Sequence, residues 1–161
     1  MATNTLLQYL ESADSSGTAY SSATSHRRQI ETFIASGAVA IGDVVSFAFA
    51  SAANPGDAVL QVKKAVADKH CVGVAISAAA DGEKVDVCIA GVCEATVAGK
   101  NNAGNAGITS GDFLSLGNEA GTFYKTTIGT DAGVDAIAVD DKTSAASEAN
   151  LIKTVILIKK F

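Results

Sequence analysis

The sequence predicts an all-β domain, a small β-barrel or sandwich with an internal pseudo-repeat, preceded by an extended N-terminal arm. Three observations predict it: apolar and polar residues alternate with a period of two, turn residues recur at short intervals, and one order of segments occurs twice. A period of two places side chains alternately on the two faces of a strand. We therefore divide the chain into an arm, residues 1–27, and a β domain, residues 28–161.

The clearest strand signal lies in residues 71–97. The segment reads CVGVAIS, then AAADGEK, then VDVCIAGVCEATV, and Val85, Val87 and Ile89 share one parity. Asp81-Gly82 between the two apolar parts is typical of a turn. Gly91 interrupts the second part and predicts a bulge or a close backbone approach. We expect a hairpin or a tight β-corner in this segment.

Further strands are predicted on both sides of this hairpin. Residues 28–34 alternate, and the segment VVSFAFA places Val45, Phe47 and Phe49 on one face. The last segment, LIKTVILIKKF, carries apolar residues on both parities. That pattern predicts a strand buried on both faces, in the core or at a subunit interface.

The order of segments is duplicated. ITSGDFL at 108–114 echoes VAIGDVV at 39–45, and VDAIAVDD at 134–141 parallels CVGVAIS. The last segment then parallels VDVCIAGVCEA. Two copies are too few for a solenoid, so they predict a compact barrel or sandwich with pseudo-symmetry.

Composition excludes several partners and compartments. A net charge of −5 argues against a nucleic-acid binder, which needs Lys and Arg to neutralise phosphates. The sequence has no apolar run long enough to span a membrane, and the N-terminus lacks the pattern of a signal peptide. Three cysteines without an export signal predict reduced thiols in a protein made in a cytoplasm.

The residues that could carry chemistry form no constellation. The two histidines are His26 and His70, and His70 neighbours Cys71, so on a strand the two side chains would point to opposite faces. Cys71, Cys88 and Cys93 lack the close spacing of a zinc site. We expect no catalytic residue, no cofactor and no metal, so the chain is not predicted to be an enzyme.

Residues 1–27 differ from the rest of the chain. A Ser/Thr/Gly/Ala tract at 12–25 has little to bury and would stay flexible or lie extended on another surface. One interpretation is a disordered tail. The other is an arm that docks on capsid or on a neighbouring subunit through spaced apolar anchors, which are Leu6, Leu7, Tyr9, Leu10 and Tyr20.

Between about residues 35 and 158, the order of short motifs resembles that of phage head decoration proteins, also called capsid cement proteins. The matching segments are 42–45 (GDVV), 72–75 (VGVA), 78–82 (AAADG), 85–92 (VDVCIAGV) and the second Gly-Asp at 111–112. The resemblance implies a small β-barrel that forms a homotrimer on the outer surface of the capsid and clamps neighbouring capsomers. Its partners would be the major capsid protein and itself, and it would be assembled in the host cytoplasm. The family has no catalytic residues to carry over.

Two other classes remain open from the sequence. A phage tail or baseplate β-structural module has the same composition, although neither long repeats nor a trimerisation stem is visible. A cellular ligand-binding β-barrel would need a pocket lined with aromatic side chains, and six Phe and three Tyr spread along the chain favour it weakly.

Overall fold

The structure is a computed structural model that describes residues 28–49, 56, 59–66, 70–98, 107–117, 119–126, 133–141 and 151–157. These ranges are all-β and contain no α-helix, which confirms the predicted fold class. The strands are β1 (Gln29–Ala35), β2 (Val44–Phe47), β3 (Gln61–Lys64), β4 (Gly73–Ala75), β5 (Lys84–Val97), β6 (Phe113–Leu116), β7 (Phe123–Lys125), β8 (Ala136–Ala138) and β9 (Leu151–Leu157).

The first five strands close into a barrel. β1 pairs in parallel with β3, and β3, β2, β4 and β5 follow as antiparallel neighbours. The first half of β5 then pairs with β1 in antiparallel direction and closes the ring. Closure leaves no free sheet edge in this part of the chain.

The second half of the chain repeats this ring. β5 pairs in parallel with β7, and β7, β6, β8 and β9 follow as antiparallel neighbours. β9 then pairs with the second half of β5. The molecule is therefore two five-stranded barrels that share one long strand, and the predicted pseudo-repeat is confirmed.

β5 passes from one barrel to the other at an irregularity. Gln29 lies opposite Ala90 and Ile30 lies opposite Cys88, so Ile89 is an extra residue in β5. Gly91 follows with a φ of 93°, a left-handed conformation that glycine adopts without steric cost. The bulge expected near Gly91 is at Ile89, two residues earlier. From Gly91 onward, β5 pairs with β9.

The repeated Gly-Asp motif builds the same turn in each barrel. In the first barrel, the Ala40 amide donates to Asp43 Oδ2 at 2.7 Å, and Lys64 Nζ lies 2.9 Å from the same oxygen. The carboxylate thereby satisfies a backbone donor of the turn and fixes it to β3.

The second barrel has the equivalent contacts. The Thr109 amide donates to Asp112 Oδ2 at 2.8 Å, and Lys125 Nζ lies 2.7 Å from that oxygen. Both repeats thus have an Asp just before one strand, β2 or β6, and a Lys at the end of the next strand along the chain, β3 or β7. Their charges are used to hold the turns.

Each barrel has an interior filled by side chains. The first encloses Phe33, Ala35, Val39, Val45, Val62, Ala75, Ala79, Val85, Val87 and Ile89. The second encloses Cys93, Ala95, Val97, Ile108, Leu114, Leu116, Phe123, Ala136, Ala138, Val155 and Leu157. Small barrels are closed to ligands in this way, because opposite side chains meet across the axis.

In β1 and β9, the sequence pattern did not determine which side chains are buried. β1 buries Phe33 and Ala35 and leaves Ile30 exposed, although either parity of that segment could have faced inward. The prediction that the last strand is buried on both faces, in the core or at a subunit interface, is met on one face within the single chain, and burial of the other face at an interface stays a prediction. In β9, Val155 and Leu157 are buried, but Ile156 is 41% exposed because nothing in the described chain covers its outer face.

Candidate assembly surfaces

The two barrels are joined by backbone hydrogen bonds. The Thr96 amide donates to the Gly42 carbonyl at 2.7 Å, and the Val44 amide donates to the Gly121 carbonyl at 2.9 Å. The Gly121 amide donates in turn to the Ala65 carbonyl at 2.7 Å. The start of β2 therefore lies between β5 and the segment that leads into β7.

An apolar row on the outside of the first barrel lies under the second barrel. Val44 pairs with Val74, and Val74 pairs with Cys88. The strand neighbours of these three residues point into the first barrel, so the row points outward, yet all three side chains are completely buried. Cys71 and Ile76 are partly buried against the same cluster. We call these five residues the covered face.

A glycine makes the close approach of the barrels possible. A Cβ on Gly121 would lie 3.0 Å from Asp43 Oδ1, tighter than ordinary van der Waals contact. The acid that holds the first Gly-Asp turn thus also lies against the backbone of the second barrel.

The three cysteines lie at this junction as free thiols. Cys88 belongs to the covered face, Cys93 lies inside the second barrel, and the two side chains form a hydrogen bond. That hydrogen bond and burial both raise the pKa of the Cys93 thiol. A protonated, buried thiol is a poor nucleophile and a poor metal ligand, so Cys93 acts as a small packing residue.

Other residues with possible chemistry are placed apart. His70 is exposed, whereas Cys71 packs against the buried cluster and its thiol donates to the Gly73 carbonyl at 3.8 Å. Within the described ranges, no three His, Cys, Asp or Glu side chains are grouped as metal ligands. The same ranges contain no helix suited to crossing a membrane.

The arm residues predicted as anchors, Leu6, Leu7, Tyr9, Leu10 and Tyr20, lie outside the described residues. The boundary between the arm and the domain therefore stays a prediction. The surfaces that the structure does describe were missed from the sequence.

One of these surfaces lies on the second barrel and one on the first. The open face consists of apolar residues on the outside of the second barrel, which are Phe113, Val134, Ile137, Val139 and Ile156. The apolar edge lies on the first barrel, at the ends of β1, β2 and β3, and consists of Ile34, Phe49, Val59 and Leu60. The one sequence signal for either was the two-faced last segment, since its second face is the position of Ile156.

The comparisons with known proteins show a fold. No family model matches the chain, and no curated protein matches it in sequence. Among solved structures, it is similar to the N base of the head fiber gp8.5 in bacteriophage phi29, with a TM-score of 0.50 and 17% identity. The match covers 81% of this chain and 94% of that one. A share of that size exceeds either barrel alone, so the likeness extends over both.

Proposed function

We propose that this chain is a structural protein of a phage head, a decoration protein that binds the outer surface of the capsid as a homotrimer and stabilises its lattice. The observation that carries the proposal is the two-barrel fold, which covers almost the whole base of a phage head fiber. The order of sequence motifs, which resembles that of decoration proteins, supports the same class independently. Because that fiber base belongs to a head, the tail or baseplate alternative has less support.

The use of the polar residues favours a structural role over an enzymatic one. Asp43 and Asp112 hold turns through Lys64 and Lys125, and the thiol of Cys93 is buried and protonated. The filled barrel interiors also favour assembly over ligand binding, since the side chains that close them, such as Phe123, are completely buried. We propose that the chain has no catalytic function, and that its exposed apolar surfaces serve contacts between proteins.

We further propose that residues 1–27 are the arm that binds the major capsid protein. The tract at 12–25 can contribute little to a monomer core, whereas Leu6, Leu7, Tyr9 and Leu10 offer anchors. Each well-buried Leu stabilises a contact by about 2 kcal/mol. Three arms on one trimer would add their effects through multivalency.

The test is co-sedimentation of the purified protein with heads of the phage that encodes it. Deleting residues 2–26 should leave the thermal midpoint of the free protein nearly unchanged and sharply weaken attachment. A triple variant Leu6→Ala, Leu7→Ala and Leu10→Ala should behave like the deletion, and the control Ser15→Ala and Ser16→Ala should behave like the wild type. Equal attachment of the truncated and full chains would refute the arm, and no attachment of the full chain would refute the capsid role.

A further inference from the structure

We propose that the open face of one copy docks on the apolar edge of a second copy, so that the trimer is a head-to-tail ring of six barrels. The inference specifies the contact within the proposed homotrimer and rests on that part of the proposed function. It is carried by the internal repeat, which shows inside one chain how one barrel covers another.

The open face and the covered face occupy equivalent positions. Val44 pairs with Val74 in the first barrel, and Phe113 pairs with Ile137 in the second. The next pair across the sheet is Val74 with Cys88 in the first barrel, and Ile137 with Ile156 in the second. Just before β4, the Val72 amide donates to the Val45 carbonyl, and just before β8, the Asp135 amide donates to the Leu114 carbonyl in the same way. This aligns Cys71 with Val134 and Ile76 with Val139.

Both faces are apolar, but none of the residues that the structure describes covers the open face as the second barrel covers the covered face. All five positions of the covered face carry apolar or thiol side chains, and all five of the open face carry Phe, Val or Ile. In the first barrel, burial under the second barrel accounts for this composition. In the second barrel, Val139 is 38% exposed and Ile156 is 41% exposed, and the other three side chains of the open face are half-buried. A contiguous apolar patch of this kind marks a protein–protein contact.

The surface that covers the first barrel within the chain indicates which surface of a second copy would cover the open face. Thr96 and Gly121 of the second barrel form the junction bonds. The parallel pairs Val97–Phe123 and Ala35–Val62 align the barrels and place Ile34 at the position of Thr96 and Leu60 at that of Gly121. Those equivalents belong to the apolar edge.

The apolar edge has the composition expected of a partner for the open face. Leu60 is 58% exposed and Phe49 is 63% exposed. A second copy therefore offers an apolar surface at the positions that the repeat uses for docking.

The contact between copies differs from the junction within the chain in one respect. In the first barrel, the Ile34 amide donates to the Leu60 carbonyl at 2.8 Å. The equivalent groups of the second barrel do not bond to each other: the Thr96 amide donates to the Gly42 carbonyl, and the Gly121 carbonyl accepts from the Val44 amide. The first-barrel edge is thus already satisfied, and the contact between copies rests on side chains. It is consequently weaker than the intrachain junction, and the ring dissociates on dilution.

The arrangement requires a heterologous contact, in which each chain uses two different surfaces. Substitution of either surface alone must therefore break the ring. Ile156→Asp alters the open face and Leu60→Asp alters the apolar edge, and both side chains are exposed, so folding should survive. Val139→Asp is a second open-face variant. Ile41→Asp is the matched control, because Ile41 is 53% exposed and belongs to neither surface.

The experiment measures the mass of the full-length protein in solution by light scattering over a concentration series, with thermal unfolding as a check on folding. Wild type and Ile41→Asp should form trimers at high concentration. Ile156→Asp, Val139→Asp and Leu60→Asp should each stay at the 16.2 kDa monomer, one third of the wild-type mass.

A mixture of Ile156→Asp and Leu60→Asp should form 1:1 dimers, because one intact face then meets one intact edge and neither free end can extend. Absence of that dimer at the highest soluble concentration, or a trimer formed by either variant alone, would overturn the head-to-tail contact. Dissociation on deleting residues 2–26, while Leu60→Asp stays trimeric, would show that the arm covers the open face, and would also overturn it. A trimer that survives Ile156→Asp leaves the proposed function standing, whereas a monomeric wild type contradicts both.

Discussion

The two barrels have the same strand order and directions but distribute their large side chains differently. In the first barrel, β1 contributes Phe33 and β3 contributes Val62, whereas the equivalent positions in the second barrel are Ala95 and Phe123. The buried Phe lies on β1 in the first barrel and on β7, the equivalent of β3, in the second. Both interiors are filled. The comparison shows that either of two paired strands of this ring can supply the buried Phe.

The barrels differ more on the outside. The covered face of the first barrel is buried by the second, and the open face has the same apolar character without a partner among the described residues. In a duplicated unit the same surface occurs twice, and here the second barrel covers the copy on the first barrel. This difference is the ground on which we propose that the chain assembles with other copies.

Among substitutions that distinguish the two barrels, Phe123→Ala should cause the largest loss in the free energy of unfolding. Phe123 is completely buried in the second barrel, and truncation of a buried Phe costs about 3–5 kcal/mol through lost burial and the cavity left behind. The matched variant is Val62→Ala at the equivalent position, with an expected cost of about 2 kcal/mol. Urea unfolding at one protein concentration measures both, and equal losses would contradict the different division of core volume.

Gly73→Ala should have the next largest effect. A Cβ on Gly73 would run into the backbone carbonyl of Cys88, so β4 and β5 would have to separate, at a cost of about 1–3 kcal/mol. The second barrel has Ala136 at the equivalent position. The control Ala136→Gly should therefore cost only about 0.5–1 kcal/mol. A loss for Gly73→Ala no larger than that of the control would contradict the close approach of β4 and β5.

Much of this fold could be predicted from the sequence. Period-two alternation in the segment of Val85, Val87 and Ile89 predicted strand and buried face together, since one parity there is polar. The Gly-Asp turns and the order of segments predicted the repeat. The signal is strong because polar residues face solvent on one side of each such strand.

The junction could not be predicted in the same way. Val44 and Val45 are both completely buried, because one faces the first barrel's interior and the other faces the second barrel. Alternation within one segment does not show which distant segment covers its outer face. β1 was ambiguous for a related reason, since Ile30 and Phe33 put apolar residues on both parities. The open face was missed because its five residues lie in three segments of the chain that only the pairing of β6, β8 and β9 brings together.

The smallest effect is expected at the second Gly-Asp turn on acidification. Partial burial opposes ionisation of Asp112, but hydrogen bonds from Lys125 and Thr109 outweigh it and hold the pKa of the carboxyl below its ordinary value of 3.8. A carboxyl with a lowered pKa in the folded state stabilises the fold above its unfolded pKa, and this contribution is lost as pH falls through the folded value. Asp112→Asn should cost about 0.2–1 kcal/mol at neutral pH.

The pH dependence separates charge from packing at this turn. Below about pH 4, wild type should lose its advantage over Asp112→Asn, since protonation removes the same ion pair with Lys125. Unfolding midpoints measured from neutral to acidic pH check this. A difference between the two proteins that stays constant into acid would show that the ion pair has no part in holding the turn.

Electron cryomicroscopy of heads from the phage proposed to encode the chain, with and without the protein, tests the proposed capsid role most directly. We expect knobs on the outer surface of the capsid lattice, each fitted by a ring of three chains in which the open face of every second barrel contacts the apolar edge of the next chain. The knobs should be absent from heads that lack the protein. Density on the tail alone, or heads that are identical with and without the protein, would rule out a capsid decoration protein.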